Sequence, residues 1–170
     1  LSARPPIRSC ALVEVSAGSV NETVVAGYGV IVGQKSVRTA TSGRIASVQA
    51  DSTLDLAWVT LQGGYASEIG GGCVLLGARS KLTAENVVFE DCATAWSGGA
   101  IAAWRSSTVV LVDSIITRSH AAGRGGGIFM FDNSSLTLRK SAITNSSAGA
   151  GGGIYADDVK LDDSQVSHCV

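Results

Sequence analysis

Apolar residues recur along this chain in a fixed frame: two of them at i and i+2, and a third at i+7. The sets are Leu54/Leu56/Leu61, Leu82/Ala84/Phe89, Val109/Leu111/Ile116, Leu136/Leu138/Ile143 and Val159/Leu161/Val166. A spacing of two is the strand period, and each run is short and bounded by Gly, Ser, Asn or Asp, the residues that form turns. Helix does not fit this pattern. It predicts about three short strands per repeat of ~27 residues, each with one face apolar.

A glycine-rich tetrad marks the same repeat. It reads Gly70-Gly71-Gly72-Cys73, Gly98-Gly99-Ala100-Ile101, Gly125-Gly126-Gly127-Ile128 and Gly151-Gly152-Gly153-Ile154, with 28, 27 and 26 residues between successive fourth positions. Stepping back 28 from Cys73 reaches Ile45 in the degenerate Ser42-Gly43-Arg44-Ile45. The interval from tetrad to apolar set drifts through 9, 9, 8, 8 and 5 residues, as a loop does between fixed strands. Equivalent positions that keep their character over a repeat of this length indicate a chain that coils once per repeat. Each strand then stacks in parallel on its predecessor around a continuous apolar column. Glycine at the tetrad is expected to supply a positive φ at a tight corner.

Residues 1–41 follow the pattern less closely and are expected to form an irregular lead-in with one or two atypical coils. Val13/Val15/Val20 and Val30/Val32/Val37 repeat the offsets without a tetrad. Pro5-Pro6 cannot join a central ladder and reads as extended lead-in. Residues 42–170 are expected to hold five regular coils. The chain stops at Cys169-Val170 in mid-coil, so more solenoid or a partner is expected to follow, and the chain reads as part of a larger protein.

The tetrad Gly98-Gly99-Ala100-Ile101, with the segment Phe89 to Cys92 and its later equivalents, resembles the repeats of chlamydial polymorphic outer membrane proteins. Those carry Gly-Gly-Ala-Ile and Phe-x-x-Asn tetrads. Here the second motif departs, since Phe89-x-x-Cys92, Ile116-x-x-Ser119, Ile143-x-x-Ser146 and Val166-x-x-Cys169 lack the Asn. The chain also looks like pectin-lyase-like solenoids. Both resemblances imply an all-β fold, a right-handed parallel β-helix, in keeping with the general preference for right-handed parallel crossovers. They imply surface or adhesive modules on one side and polysaccharide-active enzymes on the other, and a shared fold does not choose between them.

Charge changes the picture little. With 13 basic and 14 acidic residues the net charge is -1, which gives no field to attract nucleic acid. No run of ~18 apolar residues is present to enter a membrane. No cofactor motif stands out.

Enzymes on this fold gather acids on one outer face. Asp157, Asp158, Asp162 and Asp163 are the densest acidic cluster, and the weak candidates for a hard cation such as calcium. They read more simply as a solvated loop and turn, so no metal is assigned. His120 and His168 fall at different offsets and do not stack, and no nucleophile motif such as Gly-x-Ser-x-Gly occurs, so no catalytic residue is assigned.

Cys92 and Cys169 occupy one coil position three repeats apart, beyond disulfide reach at ~4.8 Å per coil. Cys10 and Cys73 show no stacking partner, although Cys10 could bridge elsewhere. Four buried or half-buried thiols are expected, and the redox compartment stays open. Asn21, Asn133 and Asn145 stand in Asn-x-Ser/Thr sequons, candidates for glycosylation in a secreted protein.

One outer face is expected to be apolar. If the tetrad isoleucines point inward, Val74, Ala102, Phe129 and Tyr155 point outward in a column, with Leu76, Trp104 and Phe131 two residues further on. Such a face suits another part of the same protein, an assembly partner, or a glycan. The sequence is therefore expected to be a non-enzymatic structural or adhesive module of an extracellular or cell-surface protein. The alternative is a polysaccharide-binding or polysaccharide-cleaving β-helix with its active groups outside this segment.

Overall fold

The computed structural model describes residues 43–170 in full. Before them it describes only the backbone strands Cys10–Leu12, Gly18–Ser19, Thr23–Val25 and Tyr28–Thr39. The Val13/Val15/Val20 set, Pro5-Pro6 and Asn21 lie outside the described residues.

Among the described residues every strand pairing is parallel, and each interior strand pairs with the one a coil before and the one a coil after. The chain forms a β-solenoid. Four walls run along it. The first contains Ala46–Val48, Val74–Leu76, Ile101–Trp104, Ile128–Phe131 and Ile154–Tyr155. The second contains the start of Thr53–Gln62, then Lys81–Glu85, Thr108–Val112, Ser135–Arg139 and Asp158–Asp162. The end of Thr53–Gln62 begins the third, followed by Val88–Glu90, Ile115–Thr117, Ala142–Thr144 and Gln165–Ser167. A fourth, short wall comprises Tyr65–Ala66, Ala93–Thr94, His120–Arg124 and Ser147–Ala150. This wall was not expected: the sequence suggested three strands per coil, and two-residue strands such as Ala93–Thr94 are too short to show a period.

The i, i+2, i+7 sets lie in register as expected, Leu54 on Leu82 on Val109 on Leu136 on Val159 and Leu61 on Phe89 on Ile116 on Ile143 on Val166. Four of the five sets are buried. In the last, Val159, Leu161 and Val166 remain 39%, 50% and 39% exposed, and Val159 and Val166 line an open cleft with Ile154, Ala156 and Cys169.

Two alignments need correction. Ile101 pairs with Val74, not Cys73, so the structural tetrad is Gly71-Gly72-Cys73-Val74 and Gly70 is an extra residue ahead of it. The left-handed glycines confirm this frame: Gly71, Gly98, Gly125 and Gly151 have φ of 74°, 73°, 63° and 60°. A Cβ on Gly98 would collide with the Ile101 carbonyl. Along Tyr28–Thr39, Gly29 and Ile31 pair with Leu54 and Leu56, so Val30 and Val32 fall opposite Asp55 and Ala57, one residue out of the expected frame.

The corners are built from polar ladders. Ser107, Ser114, Ser134 and Ser141 are buried, yet each hydroxyl is satisfied. Ser107 Oγ donates to the Trp104 carbonyl at 2.7 Å, and Ser134 Oγ accepts from the Ser107 amide at 3.1 Å. Ser114 and Ser141 repeat the arrangement at the next corner, where the Ser114 amide donates to Ser141 Oγ at 3.1 Å. Such a column lets the chain turn sharply without leaving buried polar groups unpaired.

Cys73 and Cys92 form a disulfide with Cα atoms 5.5 Å apart. This corrects the expectation of free thiols. Coil-on-coil stacking does not reveal it, because the bridge runs between two different inner positions, at the start of the first wall and just before the fourth. Cys169 is free and half-buried. The side chain of Cys10 lies outside the described residues.

Candidate functional site: an aromatic cleft on the first wall

Strand alternation determines which first-wall residues face out. Because Val74 pairs with Ile101, Val74 and Leu76 belong to the inner column and are fully buried. They are removed from the binding face, and Leu75 takes their place in line with Ala102, Phe129 and Tyr155.

The other four residues do come together. Phe129 is the hub: its ring centroid lies 4.8 Å from Trp104, 5.5 Å from Tyr155 and 6.4 Å from Phe131. Phe129 and Tyr155 are nearly parallel, with an interplanar angle of 14°. The Arg124 guanidinium stands 4.9 Å above the Tyr155 ring, a cation–π contact. The face is narrower than expected, because the neighbouring corner folds over it. Ser97, Gly123 and Arg124 form that rim, knitted by the Arg124 amide donating to Ser97 Oγ at 3.1 Å and the Gly123 amide to the Trp96 carbonyl at 2.6 Å. Phe129 is left only 4% exposed, whereas Phe131 is 46% exposed.

What remains open is a cleft of about 300 Å³ lined by Ser97, Trp104, Gly123, Arg124, Phe129 and Phe131. Its lining holds one cation, one hydroxyl and three aromatic rings, and no carboxylate. The Trp104 indole N–H is buried without a hydrogen-bond partner, the one such side-chain atom among the described residues. A buried donor left unpaired costs free energy, so it calls for an explanation.

The acids and histidines are dispersed. Asp157, Asp158, Asp162 and Asp163 are all exposed, and no three His, Cys, Asp or Glu side chains gather into a metal-holding group among the described residues. His120 does meet a hydroxyl, with Nδ1 2.9 Å from Ser147 Oγ on the adjacent coil. That pair is a cross-strand contact on the fourth wall, and no carboxylate is hydrogen-bonded to it. Asn133 and Asn145 are exposed at corners with φ of 59° and 52°.

The charged corners pair along the rod. Arg118 binds Asp91 through Nε at 2.9 Å and also reaches Glu90, while Gln62 Nε2 donates to Asp91 from the other side at 3.4 Å. These bonds from Arg118, reinforced by Gln62, hold the Asp91 carboxyl below its ordinary range and raise Arg118 above its own. Arg79 is likewise raised by its bidentate bonds to Asp51.

A second cleft escaped the sequence reading. Four residues after the first member of each apolar set stand Trp58, Asn86, Asp113, Lys140 and Asp163, all with positive φ between 47° and 56°. Four are polar residues at an exposed corner. Trp58 is not, and its side chain is 51% exposed beside Val88 and Ile115 in a shallow groove. A bulky side chain in this backbone region is an outlier. The signal was legible in the +4 column, where one tryptophan interrupts a polar series.

The family comparison fits this geometry. Residues 25–170 match the family described as right handed beta helix region. The chain belongs to this right-handed β-helix family. Neither a curated protein nor a solved structure matches it. Membership in the right-handed β-helix family accounts for the stacked walls and corner ladders, and leaves the use of the aromatic cleft open to argument from its chemistry.

Proposed function

We propose that this β-helix is a non-enzymatic structural or adhesive module of a larger extracellular or cell-surface protein, with the first-wall cleft as its contact face. The observation that carries the reading is the cleft itself, where the Trp104, Phe129 and Phe131 rings stand beside Arg124. Such rings favour apolar and planar partners. A docked protein segment supplies them with its apolar side chains. The Cys73–Cys92 disulfide supports an oxidising compartment, as expected outside the cytosol.

Glycan binding is the second reading, favoured by the same aromatic rings together with Arg124. Cleavage has less support, because the cleft lining carries no acid to serve as a general acid or base.

Cryo-electron microscopy of the native protein from its source tests the proposal. Protein density seated on Trp104 and Tyr155 is the expected result. An open first wall in the native particle contradicts it, and a glycan array then decides the second reading.

A further inference from the structure

We propose that Asn133 carries an N-linked glycan whose first sugar lies on the exposed ring of Phe131. The proposal does not depend on the contact-face reading. It starts from a local irregularity in the solenoid. Seven residues separate Phe129 from Leu136, but only four separate their partners Tyr155 and Val159 on the next coil. The three extra residues, Phe131, Asp132 and Asn133, therefore have nothing stacked on them from that side. They form a turn stacked on Arg105 and Ser106 of the coil before and open on the other side, and all three are exposed.

The turn is tightly defined. Asp132 and Asn133 have φ of 64° and 59°, a backbone that Asn and Asp tolerate better than other side chains. The Ser134 hydroxyl closes the turn by donating to the Phe131 carbonyl at 2.9 Å, and the Ser106 amide donates to the Asp132 carbonyl at 2.8 Å from the coil before. Phe131 and the sequon Asn133-Ser134-Ser135 thus belong to one hydrogen-bonded corner. One side of the Phe131 ring stacks on Phe129, yet the residue keeps 46% of its surface exposed. The ring lies at the edge of the first-wall cleft and presents apolar surface beside the sequon. The apolar C–H face of a pyranose attached two residues away would cover it.

In the attachment step, Asn133 Nδ2 forms a bond to the anomeric carbon of a lipid-diphosphate-linked oligosaccharide. The bond from that carbon to the diphosphate oxygen breaks, the lipid diphosphate leaves, and the amide gives up one proton. The acceptor must be side-chain amide in an Asn-x-Ser/Thr sequence, which residues 133–135 provide. Asn145 is exposed too, but the residue two before it is the buried Ile143. It has no ring for a sugar to cover.

The experiment uses the native protein from its source. Peptides spanning residue 133 are analysed by mass spectrometry before and after enzymatic removal of N-glycans in heavy-oxygen water. Occupied Asn133, converted to labelled Asp by the enzyme, is expected. Unmodified Asn133 in the native protein overturns the proposal. The packing is tested on the folded glycoprotein, so that no variant has to fold without its sugar. Deglycosylation should lower Tm by about 2–4 °C in the natural chain and leave Tm unchanged in Phe131→Ala. Equal shifts in both proteins contradict the contact with Phe131.

Discussion

The coil around Phe89 and the coil around Val166 carry the same apolar signature, yet one is sealed and the other open. Phe89 lies between Leu61 and Ile116 in register and is completely buried, while Val166 has Ile143 on one side only and is 39% exposed. An inner side chain of a solenoid is buried by its two neighbouring coils more than by its own. Composition of a coil therefore says where a side chain points. Its neighbours decide what that orientation is worth.

The comparison breaks most sharply under truncation of equivalent side chains. Phe89→Ala removes a ring from the closed column and should destabilise the chain by ~3–5 kcal/mol, measured by denaturant unfolding. Val166→Ala, at the same register position, should cost under about 1 kcal/mol when measured on these 170 residues alone, with no coil stacked beyond Val166. Comparable losses at the two sites would contradict the nearest-neighbour account.

The disulfide gives the next largest effect. Cys92→Ser opens a cross-link of 19 residues and should cost about 3 kcal/mol under oxidising conditions, an effect that vanishes when both proteins are reduced. The last coil has half of the same device. Cys169 occupies the Cys92 position, Gly153 the Cys73 position, and a Cβ built on Gly153 lies 3.1 Å from Cys169 Sγ. Gly153→Cys should therefore form a second bridge once the Val166 side chain shifts aside, raising Tm and abolishing the free thiol in a thiol titration. A persistent pair of thiols under oxidising conditions would show that the last coil does not reproduce the geometry of the closed one.

The smallest expected effect belongs to the exposed ladder of Arg118 with Asp91 and Glu90. Because Asp91 titrates below its ordinary range in the folded chain, its contribution is present above the unfolded carboxylate pKa and fades as pH falls through the lower folded value. Arg118→Met should lose that small contribution at neutral pH, flatten the acid-side slope and converge with the natural chain at low pH, and the whole difference should shrink in high salt. A large loss at neutral pH would show that the ladder holds the corner and not merely decorates it.

The solenoid and its inner column were legible because the i, i+2, i+7 frame never changes from Leu54 onward. The exact tetrad frame was not, since Gly70 lengthens one glycine run and permits two alignments separated by one residue. That slip carried Val74 and Leu76 from the core to the surface in the sequence reading, because one step along a strand reverses the face. Trp104, Phe129, Phe131 and Tyr155 escaped the error, since their coils align unambiguously. The rim over Phe129 could not be read, as Ser97, Gly123 and Arg124 belong to a corner whose path has no periodicity. Nor could the Cys73–Cys92 bridge, which joins positions unrelated by the repeat.

The most direct test of the contact face is hydroxyl-radical footprinting of the native protein in its assembled state and after dissociation, read residue by residue at the aromatic side chains. The account predicts that Trp104 and Tyr155 are protected in the assembly and gain reactivity on dissociation, while Trp58, 51% exposed in a separate groove, serves as the reference. Equal reactivity of Trp104 and Tyr155 in the two states would contradict it.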